Sequence, residues 1–387
     1  MSQEQRLVVD RVVTPDGVVD DARVLVADGQ VVAVEPTAAT NERDVAADGG
    51  PEHRLAGWLV PGFVDIHCHG GGGADLASAD PDEIRRAIAF HRKHGTTTSY
   101  ASLVSARPER LEAQIAALVP LVEAGELAGI HLEGPYLSPL HRGAHDPDTL
   151  ATPTSDGIAR LLDAGRGHIR MVTLAPELSG GLAAVEQLVA AGVTVAFGHS
   201  DADELMLREA LAAGATVATH LFNAMRPIHH REPGPVPRLL TDDRVTVELI
   251  CDGFHLHPDV IAMAIEVAGP ERAALVTDAM LAAGVADGDY QLGGLDVAVT
   301  DGQARLVEPD GSLGSIAGST LTMAAAFEQV VAVGVAIPDA ARMGAGTPAR
   351  SQGLDGVGEI RPGARADFCL VDDAGRLQRV MRAGSWL

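Results

Sequence analysis

The stretch DIHCHGGGG, from Asp65 to Gly73, contains two histidines separated by a single residue. On a β-strand, residues i and i+2 point to the same face, so His67 and His69 share a face while Cys68 points the opposite way. Imidazole nitrogens are common ligands of Zn²⁺ and similar ions. Because an isolated His-x-His pair also arises by chance, a buried strand with a flexible glycine exit is the alternative interpretation.

Four more residues capable of metal binding or acid–base chemistry follow apolar, strand-like segments. They are Glu133 after GIHL, His199 after VTVAFG, His220 after TVAT and Asp278 after AALVT. Each alone is an ordinary polar residue at a loop entry, but together with the histidine pair they predict one metal centre. Histidine and carboxylate ligands suit Zn²⁺, Fe²⁺ or a similar divalent ion. Such an ion lowers the pKa of bound water toward about 7, and Asp278 can accept that proton and return it to a leaving group.

Strand-like and helical segments alternate from residue 61 onwards, which is the pattern that would bring these residues to one rim. Eight runs are typical of strands: GFVDIHCH, TTTSYASL, GIHLEGPY, IRMVTLAPE, VTVAFGHS, TVATHLFNA, VTVELICDGFH and AALVTDAM. The segments between them have helical spacing, and most end in glycine, as helix C-caps do. Eight strands with intervening helices over about 250 residues predict an α/β fold of the (β/α)₈ TIM-barrel type, with the site at the carboxyl ends of the strands.

Both ends of the chain are rich in valine and broken by turn signals. Residues 6–60 contain DG and PDG turns, and the last part of the chain returns to strands and turns. We therefore expect a small β-sandwich domain built from residues 1–60 and 345–387, and a barrel that spans residues 61–344. A further hairpin-like region, DGDYQLGGLDVAVTDGQARL, follows the eighth strand.

Composition limits the partners and the compartment. The 387-residue chain has a formal net charge of -24, which disfavours nucleic acid and anionic membranes and requires a local cationic pocket for any anionic substrate. No apolar run is long enough for a transmembrane helix, and the N-terminus has no signal-peptide core. Three widely spaced cysteines match no zinc-ribbon spacing and favour a reducing compartment. We therefore expect a cytoplasmic protein.

Several motifs, in chain order, resemble the N-acetylglucosamine-6-phosphate deacetylases of the amidohydrolase superfamily. They are PGFVDIHCHG, GIHLEGPYLSPLHRGAHDP, VTLAPE, FGHSDA, THLFNAMRPIHHREPG, CDGFHLHP, LVTDAM and AGSTLTM. The resemblance covers nearly the whole chain and implies a barrel with a small β domain. The implied activity is hydrolysis of the acetamide of N-acetylglucosamine-6-phosphate to glucosamine-6-phosphate and acetate, in amino-sugar catabolism and cell-wall sugar recycling.

The resemblance also implies roles for the strand-end residues. Glu133, His199 and His220 would hold the main ion, and Asp278 would be the catalytic acid/base. Family members that keep the first-strand histidine pair can hold a second ion, so one or two divalent ions per subunit are implied, with Zn²⁺ or Fe²⁺ favoured. Many two-metal relatives bridge the ions with a carboxylated lysine, but the only lysine here, Lys93, lies in a helical segment. The bridge would then fall to Glu133.

Four substrate contacts are implied by the same motifs, from His145, Asn223, Arg231 and His255. His145 would contact the sugar or polarise the acetyl carbonyl, Asn223 would contact the sugar or phosphate, and Arg231 and His255 would bind the phosphate. By residue type alone, Arg231 is typical of a solvated loop arginine and His255 of a polar loop histidine. In the family a phosphate contact can come from a neighbouring subunit, which implies a homodimer.

Two alternatives remain open at the level of sequence. Another amidohydrolase, such as a dihydroorotase, deaminase or dipeptidase, would use similar ligands, although the EGP and REPG segments argue against it. A metal-free scaffold relative would have lost ligands, whereas all six are present. Outside the site, we expect Cys68 to be a small core residue and His91 to be a helix-end residue whose positive charge suits the helix dipole.

Overall fold

Four strands open the chain in the computed structural model, which describes residues 4–37 and 52–387. They are β1 (Gln5–Thr14), β2 (Gly17–Ala27), β3 (Gln30–Pro36) and β4 (Glu52–Pro61). Strands β1, β2 and β3 form an antiparallel meander, as the DG and PDG turn signals predict, and β4 pairs with β1 in parallel.

The next strands wind into a barrel at the centre of the molecule. The barrel strands are β5 (Phe63–Asp65), then, after a short ribbon of β6 (Gly70–Gly71) and β7 (Ala74–Asp75), β8 (Thr96–Val104), β9 (Gly129–Glu133), β10 (Ile169–Leu174), β11 (Thr194–Phe197), β12 (Val217–Ala218), β13 (Thr246–Ile250) and β14 (Ala273–Val276). Each pairs in parallel with its neighbour in sequence. The first and last strands meet just beyond their ends, where the Asp278 N–H donates to the His67 carbonyl oxygen at 2.8 Å. The predicted TIM barrel is confirmed.

Helices cover the outside of the barrel, most of them between consecutive strands and the last three after the eighth strand. They are α1 (Pro81–Lys93), α2 (Pro108–Glu123), α3 (Ser155–Gly165), α4 (Gly181–Ala190), α5 (Glu204–Ala213), α6 (Val236–Thr241), α7 (Pro258–Ala268), α8 (Met323–Ala332), α9 (Ile337–Ala341) and α10 (Thr347–Ser351). Helix α1 shows how local sequence sets a helix. Asp80 caps its N-terminus by accepting from the Asp82 N–H, and Ile84 and Ile88, four residues apart, are buried on one face. Among the helices described, none is both long and apolar enough to cross a membrane.

A four-stranded antiparallel sheet follows the eighth barrel strand. Its strands are β15 (Gly288–Leu292), β16 (Leu295–Thr300), β17 (Gln303–Val307) and β18 (Leu313–Ile316). Leu292 and Ile316 from this sheet line the large cavity at the barrel mouth. The hairpin-like sequence therefore builds one wall of the site.

The last strands return to the first ones. β19 (Phe368–Val371), β20 (Leu377–Arg382) and β21 (Ser385–Trp386) join β1–β4 in a seven-stranded sheet of order β21-β20-β19-β4-β1-β2-β3. The start of β3 also bonds to the segment just before β19, since the Val31 N–H donates to the Ala364 oxygen and the Ala366 N–H to the Gly29 oxygen. A β domain made from both chain ends is thus confirmed. The boundary at residue 345 stays a prediction, and helix α10 beyond it packs against barrel strands β5, β13 and β14.

Candidate metal centre and active site

The strand-end residues predicted from the sequence converge at the carboxyl ends of the barrel strands. All six are buried: His67, His69, Glu133, His199, His220 and Asp278. All except His67 line a cavity of about 380 Å³, and His67 contacts Glu133 and Asp278 from the barrel interior. The barrel mouth is where enzymes of this architecture place their chemistry.

The backbone turns sharply at three of these positions. His199, His220 and Asp278 have φ values of 47°, 27° and 49°, in the left-handed region that non-glycine residues seldom occupy. Each position costs of order 1–3 kcal/mol and is kept by the surrounding structure. The turn at the end of each strand directs the side chain over the barrel opening. The backbone strain therefore lies at the residues that form the site.

The Glu133 carboxylate lies between two pairs of histidines. Its Oε1 is 3.0 Å from both His199 Nε2 and His220 Nε2, and its Oε2 is 3.2 Å from His69 Nε2. The Nε2 atoms of His67 and His69 are 3.2 Å apart. One carboxylate between two nitrogen pairs is the arrangement expected of a ligand shared by two ions.

Asp278 faces the first histidine pair from the eighth strand. Its Oδ1 is 3.1 Å from His69 Nε2 and 3.4 Å from His67 Nε2. Burial by itself raises the pKa of Asp278, but the neighbouring His67 and His69 outweigh burial and lower it to about 2. Asp278 is therefore ionised at neutral pH in this arrangement.

The second ring nitrogen of three histidines is held by a hydrogen-bond acceptor. His67 Nδ1 donates to Glu248 Oε2 at 3.0 Å. His69 Nδ1 donates to the Ser102 carbonyl oxygen at 3.1 Å, and His199 Nδ1 to the His141 carbonyl oxygen at 2.8 Å. Because these acceptors keep a proton on Nδ1, a ring that loses its Nε2 proton presents the Nε2 lone pair to a metal ion, as in most metal-binding histidines. The donor set of convergent nitrogens and carboxylates therefore fits a divalent ion.

Glu248 holds two of the convergent histidines in place, and motif reasoning missed it. It is fully buried on β13, and Oε2 also accepts from the His220 backbone N–H at 3.1 Å. Its Oε1 has no hydrogen-bond partner among the described residues. The sequence did carry a signal, because Glu248 is the one acidic residue in the apolar run VTVELI, and buried carboxylates need a compensating partner.

Three of the four expected substrate contacts reach the same cavity. His145, Asn223 and His255 line it. Asn223 Nδ2 donates to the His220 and Leu221 carbonyl oxygens, which leaves the amide oxygen for a ligand. His255 Nδ1 is 2.7 Å from Asp252 Oδ2.

Arg231 does not reach the cavity within this chain. It is exposed on the loop after the sixth barrel strand, and its Nη1 is 2.8 Å from His230 Nε2. Its expected role at the phosphate stays a prediction.

The glycine run after the histidine pair packs tightly and is no flexible exit. A Cβ on Gly70 would lie 2.5 Å from the Ala74 oxygen, and one on Gly71 would lie 2.5 Å from His91 Nε2. Cys68 is buried, as expected, with Sγ 3.3 Å from the same His91 nitrogen. The expectation that His91 is a helix-end cation is wrong: it is buried, and burial lowers its pKa to about 4.

Comparison with known proteins agrees with this geometry. The model of the amidohydrolase family matches residues 58–387. The chain belongs to the amidohydrolase family. Enzymes of this family are metal-dependent, and the buried histidine and carboxylate cluster of this amidohydrolase can hold a metal ion.

Individual relatives resemble this amidohydrolase over nearly its whole length. A structure of an N-acetyl-D-glucosamine-6-phosphate deacetylase variant from Mycobacterium smegmatis, in complex with N-acetyl-D-glucosamine-6-phosphate, is 45% identical with a TM-score of 0.93 and covers 99% of each chain. An N-acetylgalactosamine-6-phosphate deacetylase from Escherichia coli is 35% identical over 381 residues, which is 97% of each chain. An N-acetylglucosamine-6-phosphate deacetylase from Lysinibacillus sphaericus is 35% identical over 332 residues, which is 84% of each chain.

Proposed function

We propose that this amidohydrolase hydrolyses the acetamide of N-acetylglucosamine-6-phosphate to acetate and glucosamine-6-phosphate. The observation that carries the proposal is the cavity at the barrel mouth, with convergent metal-binding groups at its base and polar groups on its walls. The Mycobacterium smegmatis relative, with the phosphorylated sugar bound, supports this substrate. A dihydroorotase, deaminase or dipeptidase activity is not favoured, because the relatives of at least 30% identity described above are deacetylases of amino-sugar phosphates.

One or two divalent ions, Zn²⁺ or Fe²⁺, would occupy the centre. Glu133, His199 and His220 would hold one ion, and the first-strand histidine pair would hold the other. Glu133 would bridge them, since its two oxygens face both histidine pairs and Lys93 is exposed at the end of α1. A bound ion polarises a carbonyl group and makes an attacking water more acidic.

Asp278 would then carry one proton from the attacking water to the sugar nitrogen. Asp278 accepts the proton of the water whose oxygen bonds to the acetyl carbon, and it delivers that proton to the sugar nitrogen as the C–N bond breaks. His145, whose Nε2 is 3.4 Å from Glu133 Oε2, lies near the expected carbonyl oxygen and would donate a hydrogen bond to it.

The walls of the cavity would hold the sugar phosphate. The free amide oxygen of Asn223 can accept from a sugar hydroxyl but cannot bond a phosphate oxygen. His255, whose Nδ1 is held by Asp252 Oδ2 at 2.7 Å, would contact the phosphate. Arg231 would complete the phosphate site from a neighbouring subunit, so the protein would be a homodimer. The proposed compartment is the cytoplasm.

Acetate release from a panel of amides tests the substrate. The panel contains N-acetylglucosamine-6-phosphate, N-acetylgalactosamine-6-phosphate, unphosphorylated N-acetylglucosamine, dihydroorotate and a β-aspartyl dipeptide, with product detection chosen for each. We expect the highest kcat/KM for N-acetylglucosamine-6-phosphate. Equal turnover of phosphorylated and unphosphorylated sugars, or hydrolysis of only the non-sugar amides, would show that the proposal is wrong.

A further inference from the structure

His145 meets a different kind of partner from the other histidines of the centre. Its Nδ1 is 3.3 Å from the backbone N–H of Ser105 and 3.0 Å from the Ser105 hydroxyl. A backbone N–H can only donate, so Nδ1 of His145 must be the accepting nitrogen. The proton of the ring is therefore on Nε2, opposite to the rings whose Nδ1 faces a carboxylate or carbonyl oxygen.

The other side of the ring agrees with this tautomer. His145 Nε2 lies 3.4 Å from Glu133 Oε2, which accepts hydrogen bonds. An Nε2–H would face an acceptor here, but this contact does not select the tautomer by itself, because the Nε2 atoms of His69, His199 and His220 lie 3.0–3.2 Å from the same carboxylate. The observation that sets His145 apart is the partner of its Nδ1, since the backbone N–H of Ser105 can only donate to this buried ring.

Distance alone would allow a different role. Ligand atoms of Glu133, His145 and His199 all lie within 4.8 Å of one another and could surround an ion. A nitrogen that carries a proton has no lone pair for a metal, so the Ser105 N–H, which leaves the ring proton on Nε2, excludes His145 from the ligands.

We infer that Ser105 is a positioning residue that fixes His145 as an Nε2–H donor to the substrate carbonyl oxygen rather than as a metal ligand. The inference rests on the proposed amide hydrolysis for its substrate, but the tautomer follows from the protein alone. Ser105 directly follows the second barrel strand, β8. Its backbone N–H lies beyond the end of that strand and donates to His145, which lies on the loop after β9.

Nitrogen NMR of the zinc-loaded protein with ¹⁵N-labelled histidine rings tests the tautomer directly. We expect His145 to carry its proton on Nε2, while His67, His69 and His199 in the same spectrum carry theirs on Nδ1. The His145 signals are identified by their loss in His145→Gln. A proton on Nδ1 of His145 overturns the inference without affecting the substrate assignment.

Metal content and kinetics test the role of the donor. We expect His145→Leu to keep the wild-type metal content and to lose about 10²–10³-fold in kcat, the effect of removing one oxyanion donor. His199→Leu, the matched ligand variant, should lose bound metal. If His145→Leu loses metal to the same extent, His145 is a ligand and the inference is wrong.

Ser105 itself is tested by a pair of variants. Ser105→Ala keeps the backbone N–H but lacks the hydroxyl, so we expect kcat to fall about 2- to 10-fold, as for one neutral hydrogen bond, with KM and metal content nearly unchanged. Ser105→Thr, which restores a hydroxyl, should recover most of this loss. Equal kcat values for wild type and Ser105→Ala would remove the hydroxyl from the positioning role. If NMR finds the inferred tautomer but no amino-sugar phosphate is hydrolysed, the proposed function is wrong and the tautomer assignment stands.

Discussion

Replacing Glu248 should weaken metal binding about 10- to 100-fold. Glu248 Oε2 accepts from His67 Nδ1 at 3.0 Å and from the His220 N–H at 3.1 Å, so one oxygen supports two proposed ligands, one on each side of the centre. Glu248→Leu is close in size and leaves both donors without an acceptor. His67 could then rotate or adopt the other tautomer, which would remove its Nε2 lone pair from the metal site.

The expected magnitude follows from these contacts. Loss of a partner that orients a metal-binding histidine costs about 10- to 100-fold in metal affinity, which corresponds to about 1.4–2.8 kcal/mol. Two orphaned buried donors cost about 1–3 kcal/mol each in unfolding free energy. Removal of a buried carboxylate whose Oε1 has no partner among the described residues acts in the opposite direction. Metal affinity, and not the melting temperature, is therefore the decisive measurement.

Competition with a metal chelator at fixed pH measures that affinity, and mass spectrometry of the dialysed protein gives the number of ions bound. Glu248→Gln should fall between wild type and Glu248→Leu, because an amide oxygen can still accept both hydrogen bonds without the charge. Thr347→Val is a matched control, since Thr347 is buried and donates to the Pro270 oxygen, outside the metal centre. Unchanged metal affinity in Glu248→Leu would refute the reasoning.

Four further predictions follow from the same centre. Asp278→Asn should lower kcat at least about 10²-fold while the ion stays bound, because the amide cannot carry the proton; near-normal kcat in a metal-replete sample would exclude Asp278 from that role. Chelation of the ion should abolish acetate release, and Zn²⁺, Fe²⁺ or Co²⁺ should restore it; full turnover by metal-free protein would contradict the mechanism. Although burial lowers the pKa of His67 and His69, their carboxylate neighbours outweigh it in the metal-free protein and raise the pKa of His67 well above 6.5 and that of His69 to about 9. Both rings are then charged at neutral pH, so metal binding should release about two protons, and this release should diminish as the pH rises past the raised pKa values. Titration calorimetry in buffers of different ionisation enthalpy counts the released protons. A release that does not change with pH would contradict the assignment. Arg231→Ala should raise KM for N-acetylglucosamine-6-phosphate about 10-fold or more, as expected for a lost charge-assisted hydrogen bond, and leave turnover of the unphosphorylated sugar unchanged; an equal effect on both sugars would place Arg231 outside the phosphate site.

The amino-acid sequence was sufficient to predict the barrel and the residues of its centre. Apolar runs that alternate with helical segments specify strand and helix by local periodicity, which needs no knowledge of distant contacts. His-x-His on one strand fixes two side chains on one face, and a polar residue at the end of each parallel strand must reach the same rim once the barrel closes. Glu133, His199, His220 and Asp278 could be named for that reason.

Only the tertiary structure decided what each side chain of the centre can do. His67 and Glu248 are 181 residues apart, and Ser105 and His145 are 40 residues apart, so no local pattern relates them. The choice between a lone pair and a proton on Nε2 depends on the partner of the other ring nitrogen, and that partner is brought there by the closed barrel and its loops. His91 shows the same dependence, because its helical position is compatible with an exposed cation until packing against the glycine ribbon buries it.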